Sequence, residues 1–245
     1  MKTKLFVFFL LFLLCAGCSS ERQFLDAGWT QKPAKMKILF TKPSLVVEDK
    51  EFRSTDPAYD KTMNKVLGWF NKQNDEVEIP EAMEVISDWF RDKIDNVMQF
   101  NSNVPSVVER VSKKNISRDT ENMDGVEVKI PKVQAMSDSF DVYLILDEIE
   151  MHISKVVTTM NMGPAYNPST GMPMGGAIGP TFKGESTRID ANYVVYDVKT
   201  GKRLAYGHLE DSMYHEDVAA ETGWYDNLRQ LMLRILGTTP VTRFK

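Results

Sequence analysis

Two groups of side chains in this sequence have the types and spacing for metal chemistry. Met160 and Met162, then Met172 and Met174, form two Met-x-Met pairs in the segment TTMNMGPAYNPSTGMPMGGAIGPT. Thioethers are soft ligands that suit Cu(I), so these four make a candidate copper site. No histidine or cysteine lies in the segment to complete a tight site. The alternative is an adaptable apolar loop that meets a partner protein or dips toward a bilayer. The second group is His208, Glu210, Asp211, His215, Glu216 and Asp217. His215-Glu216-Asp217-Val218-Ala219 begins like the zinc-peptidase motif HExxH, but Ala219 stands where the second histidine belongs, so the motif fails. His208 and Glu210 would share one strand face, which allows a weak metal site; a solvated strand end accounts for the same residues.

Other catalytic patterns are absent. No serine sits in a G-x-S-x-G elbow. Gly201-Lys202-Arg203 lacks the earlier glycine and the following Ser/Thr of a phosphate loop, and Gly175, Gly176 and Gly179 do not make a dinucleotide fingerprint. Asp147, Glu148 and Glu150 are acidic neighbours of a kind any chain of this size offers. Trp69, Trp89 and Phe90 could stack on a sugar, yet their helical spacing favours core packing. The expectation is a protein with no catalytic residues, no cofactor and no metal beyond the methionine candidates; the alternatives are a Cu(I)-handling envelope protein and an envelope hydrolase with no recognisable motif.

Cys18 is the residue whose chemistry the sequence specifies best. Lys2 and Lys4 precede an unbroken apolar run from Leu5 to Cys15, and Ala16 and Gly17 lead into Cys18. A charged start, a short apolar core and a small-residue exit make a secretory signal. Leu5 to Cys18 would reach only ~21 Å as a helix, short of a ~30 Å hydrocarbon core. The ending Leu14-Cys15-Ala16-Gly17-Cys18 resembles a bacterial lipobox, with Cys15 where Leu, Val or Ile is usual. The resemblance implies cleavage after residue 17 and acylation of Cys18, with the domain facing the periplasm. Ser19, rather than Asp, follows the cysteine, which favours the outer membrane by the sorting rule of enteric bacteria.

Removing residues 1–17 leaves 228 of 245 residues and, since Lys2 and Lys4 leave with them, moves the formal charge from −4 to −6. Apolar content of 42% and charged content of 26% belong to an ordinary globular protein. A mildly acidic chain without a basic cluster argues against nucleic acid. Cys15 and Cys18 are the only cysteines, so the folded part has neither a disulfide nor a thiol for catalysis.

The elements that must position these groups are legible in outline. Residues 18–35 read as a tether, and 36–245 as one α/β domain. Met36–Phe40 and Leu45–Val47 read as strand interrupted by Pro43, at an edge or a bulge. Asp56-Pro57 starts a helix through Phe70, and a second begins near Pro80 with Met83, Ile86, Phe90, Ile94 and Val97 in one stripe beside Val85 and Trp89. Val104–Val111 and Val126–Val133 are weaker strand candidates separated by a charged loop. FDVYLILDEI, from Phe140, is apolar on both faces at its centre, as in a covered sheet. Val157–Phe182 reads as a long Gly/Pro/Met loop. Arg188–Val198 and Arg203–Met213 form a hairpin around Asp197 and Gly201, and a final helix from about Val218 to Leu236 buries Tyr225, Leu228, Leu231, Met232 and Ile235. Strands and helices mix without strict alternation, so the fold class is α+β, a two-layer mixed or antiparallel sheet covered by helices.

From Lys35 to Gly237 this pattern resembles a broad group of bacterial envelope lipoproteins. The group includes the curli-secretion lipoprotein, the lipoprotein activators of penicillin-binding proteins and the amino-terminal domain of the Tol-Pal translocation protein. The matching pieces are Met36–Phe40, the helix after it, FDVYLILDEI, the turn Tyr196-Asp197-Val198-Lys199-Thr200-Gly201-Lys202 and the closing helix. The resemblance implies a small α/β domain that works as an assembly, scaffold or regulatory factor by binding envelope proteins. It assigns no binding residue to a position here.

Overall fold

FDVYLILDEI does lie at the centre of the architecture. The computed structural model describes residues 21–47, 79–161, 165–166, 173–174, 178–215, 221–237 and 239–243. In chain order the elements are β1 (Arg22–Leu25), β2 (Met36–Thr41), β3 (Ser44–Val47), α1 (Ile79–Asn101), β4 (Ser106–Val111), β5 (Ile116–Met123), β6 (Val126–Val133), β7 (Val142–Asn161), β8 (Ala165–Tyr166), β9 (Pro173–Met174), β10 (Ile178–Asp197), β11 (Arg203–His215) and α2 (Glu221–Gly237). The main sheet has the order β1-β11-β10-β7-β2-β4, with β3 pairing β7 beyond the end of β2. β2 runs parallel to both β4 and β7, whereas β7, β10, β11 and β1 are antiparallel. The sheet is therefore mixed, and the expected α+β class holds.

Both helices cover one face. Ile86, Phe90, Ile94, Val97 and Met98 of α1 and Trp224, Leu228, Leu231, Met232 and Ile235 of α2 join Met36, Ile38, Phe40, Leu144, Leu146 and Tyr193 in one buried cluster. Fully burying each large side chain contributes roughly 1.5–3 kcal/mol, and the helical spacing read from sequence supplies nearly all of them. Trp224 and Met98, both buried, are the exceptions; each stands beside the stripe read for its helix. Trp89 is a core residue rather than a sugar platform: it packs edge-on against Phe90 and its indole N–H donates to Glu221 at 2.9 Å. Trp69 and the helix read at 56–70 lie outside the described residues. No helix among the described residues is long and apolar enough to cross a membrane.

The hairpin β5–β6 covers part of the other face, where Ile116, Val128 and Ile130 meet Leu39, Tyr143, Ile145, Val194 and Tyr196. Here the expected charged loop is in fact a strand. Asp124 and Gly125 both have positive φ, 52° and 85°, which makes the two-residue turn that matches strand twist. Asn122 Oδ1 accepts the Gly125 amide at 2.8 Å. Pairing to β6 then recruits the polar sequence of β5.

Three boundaries differ from those read in sequence. The β7–β10 ladder continues to Asn161 and Ile178, well into the segment read as loop, because Val156, Val157, Thr158 and Thr159 favour extended backbone. Pro43 does mark a break, but β2 and β3 keep the same register against β7 on either side of it. The tether is shorter than residues 18–35, since β1 already belongs to the sheet. It pairs with β11, Phe24 stacks on Tyr206 at 4.9 Å, and Glu21 accepts from Arg234 of α2 at 2.8 Å. That guanidinium holds the Glu21 carboxyl below the usual carboxylate range.

Gly207 permits this docking, because a Cβ there would collide with the backbone carbonyl of Arg22. Gly207→Ala is expected to strip β1 from β11 while leaving the rest of the sheet paired. Hydrogen exchange checks it: amide protection should fall at β1 and persist through β7 and β10, and unchanged protection at β1 would refute the reading.

Candidate functional site

The face of the sheet that carries the hairpin changes character along its strands. Where β5–β6 covers it, the inward residues are Tyr143, Ile145, Val194 and Tyr196. Alternation then brings Asp147, Glu150 and His152 of β7, Asn192, Asp190 and Arg188 of β10, and His208 and Glu210 of β11 onto the same side. This ionisable band is the candidate site.

A bulge at its head sets the register. Asn192 pairs with Asp147 and Asp190 with Glu150, so two residues of β7 oppose Ala191 alone. Glu148 occupies the left-handed region, φ 49°, which non-glycine residues rarely adopt. The bulge lets the consecutive carboxylates Asp147 and Glu148 both meet the hairpin. Asp147, 1% exposed, accepts a two-pronged contact from Arg118, Nε at 2.7 Å and Nη2 at 3.1 Å, and a third bond from the Thr41 hydroxyl at 2.9 Å. The carboxylate in turn holds the Arg118 guanidinium still more firmly protonated. Glu148 receives Lys129 at 3.2 Å and the Asn192 amide at 2.9 Å, and Asn192 Oδ1 lies 3.0 Å from His208 Nδ1. One polar chain thus links β5, β7, β10 and β11.

Further along the band, His152 Nε2 lies 3.2 Å from Glu150 Oε2 and 3.1 Å from Asp190 Oδ2. Among the described residues this trio is the one set of three His, Cys, Asp or Glu donors close enough to share an ion. Neither His152 nor Asp190 stands out in sequence. Their meeting depends on the β7–β10 register, and no local motif carries that signal.

The group read at 208–217 is divided by the sheet. His208 and Glu210 do share one face of β11, as their spacing requires. His215 lies on the helical face, where its Nε2 is 3.0 Å from the hydroxyl of buried Thr187. Asn227 of α2 donates to that same hydroxyl at 2.9 Å. Burial lowers the His215 pKa against the opposing pull of Glu185 and Asp226. Glu216 and Asp217 lie outside the described residues, as do Cys18 and the side chains of Met160, Met162, Met172 and Met174.

No protein-family model matches the chain, and no curated protein matches it in sequence. Among solved structures, a Helicobacter pylori protein described as a neuraminyllactose-binding hemagglutinin homolog aligns over 86% of this chain and 87% of its own, with 7% identity and a TM-score of 0.27. Lipoprotein GNA1162 from Neisseria meningitidis aligns over 83% of this chain and 99% of its own, with 10% identity and a TM-score of 0.20. Likenesses of that size leave the function to be argued from this chain's own residues.

Asp147→Asn removes the negative partner of a guanidinium held at the edge of a buried layer. It is expected to cost about 2–3 kcal/mol, read as a lower urea midpoint. A midpoint within experimental scatter of the wild type would show that the fork is not a stabilising contact. His215 sets a second expectation. Its folded-state pKa lies below the unfolded value, so between the two the unfolded chain binds more protons and stability falls as pH drops below about 6.5. His215→Gln should flatten that part of the stability profile; an unchanged slope would assign it to other groups.

Proposed function

We propose that this chain is a lipid-anchored protein of the bacterial cell envelope, held through Cys18 in the outer membrane. Its domain faces the periplasm and acts without catalysis, as an assembly, scaffold or regulatory factor for other envelope proteins. The observation that carries the reading is the run from Lys2 to Cys18, with its charged start, short apolar core and small-residue approach to a cysteine. Several acyl chains, at ~0.8 kcal/mol per buried CH₂, make such an anchor effectively permanent.

The position of β1 supports a definite orientation. Cys18 and Arg22 are four residues apart, a reach of at most ~14 Å when fully extended. A lipidated Cys18 therefore holds the β1 edge against the bilayer. The opposite edge, β4, stands five strand spacings away, about 24 Å across the sheet. Among the described residues β4 pairs only with β2, and Val107 on it is exposed. An unpaired strand edge directed away from the membrane suits a protein partner.

Mass spectrometry of the mature amino terminus should find an acylated Cys18, and an unmodified one would overturn the anchor. A photo-crosslinking residue at Val107 should capture one identified envelope protein in intact cells, with capture lost in Cys18→Ala. Absence of any specific adduct at Val107 in intact cells would overturn the scaffold role.

A further inference from the structure

We propose that Glu150, His152 and Asp190 bind a divalent transition-metal ion of the zinc class. The three come from the two central antiparallel strands, where Asp190 is the register partner of Glu150 and His152 follows two residues on. Their donor atoms all lie within 4.8 Å of one another, and the two measured separations are 3.1 and 3.2 Å. Zinc takes nitrogen and oxygen donors at about 2.0–2.1 Å, which sets the edge of its coordination tetrahedron at roughly 3.3 Å. The two separations from His152 Nε2 therefore match two edges of such a tetrahedron, and the carboxylate pair lies within 4.8 Å, close enough to close the third around an ion.

Burial divides the donors usefully. His152 and Asp190 are each 8% exposed and fixed in the sheet, whereas the Glu150 side chain is about half exposed, at 47%. Two rigid donors inside and one movable donor at the mouth leave the fourth position open to solvent. An imidazole nitrogen beside two carboxylates selects zinc-class ions over calcium or magnesium, which take oxygen alone. Arg188, the register partner of His152, places its Nε 3.5 Å from Asp190 Oδ2. Its charge offsets one carboxylate, so the loaded site carries net positive charge and favours an anionic fourth ligand. The open coordination describes an exchangeable site rather than a closed structural one.

Titration of the detergent-solubilised full chain with ZnCl₂ by isothermal calorimetry tests this. The wild type should bind one Zn²⁺ per chain. Glu150→Gln should weaken binding at least tenfold, His152→Gln should abolish it, and His208→Gln, one strand away, should leave it unchanged. Glu150 is the safest position to alter because its side chain is largely outside the core, and a wild-type melting temperature in chelator establishes that the variant folds. Absence of saturable binding to the wild type would overturn the proposal. So would an affinity unaltered in folded Glu150→Gln and His152→Gln, or one lost equally in His208→Gln.

Discussion

A buried carboxylate in the middle of the central strand constrains much of this structure. Asp147 sits where β7 is covered on both faces, and an ionised group there is costly unless it is paired and hydrogen-bonded. The hairpin β5–β6 supplies that partner by delivering Arg118 with two N–H bonds, and Thr41 adds a third. The fork requires β5 to stand at one height above the sheet, which also brings Ile116, Val128 and Ile130 onto Tyr143 and Ile145. Apolar burial and ion pairing thus demand the same hairpin position. Either alone would leave it free to slide.

The same point is where regular pairing stops on both flanks of β7. On one side β2 gives way to β3 around Pro43, which has no amide hydrogen for a ladder bond. On the other, β10 meets a two-against-one bulge with Glu148 in the left-handed region. Such a conformation persists only when its surroundings fix it. Here they do: Lys129 holds the Glu148 carboxylate from the hairpin and Asn192 holds it from β10. Beyond the bulge the strand turns from an apolar lane into an ionisable one. A sheet that was core becomes, within a few residues, a surface able to bind.

Much of this was readable because the relevant signals are local. The helical stripes of Ile86, Phe90 and Ile94 and of Leu228, Leu231 and Met232 follow period and composition. The β10–β11 hairpin follows Asp197 and Gly201, whose contacts close the turn as their residue types suggest. Asp124-Gly125 carried an equally good turn signal, hidden because β5 is polar along nearly its whole length and lacks an apolar alternation to set against it. The bulge was not readable, since glutamate has no preference for positive φ. Nor was the trio of Glu150, His152 and Asp190. A shift of one residue between β7 and β10 would send His152 and Asp190 to opposite faces, and nothing in either strand alone specifies that offset. The sequence did bring out His208 and Glu210, which share a face, but it could not divide them from His215, which the sheet turns inward to Thr187.

The attachment of β1 gives the fold a direction. An anchor joined to a flexible tether would let the domain tumble, and no face would be privileged. Here the chain is clasped at Glu21 by Arg234 and paired from Arg22 onward, so an anchor at the proposed Cys18 would sit only a few residues from the sheet. Proximity to an anionic bilayer surface would disfavour a negatively charged edge, and the clasp answers this by neutralising Glu21 with Arg234 and Asp26 with Lys202. Arg22 lies between them in sequence and adds a further positive charge at the same edge. Of the acidic groups of the ionisable band, Asp147, Glu148, Glu150 and Asp190 lie farther in, on β7 and β10, and Glu210 alone stands on β11 beside β1. With the proposed anchor, the arrangement would separate two electrostatic tasks across one sheet: a balanced edge near the membrane, and a band farther in where the proposed cation would be held.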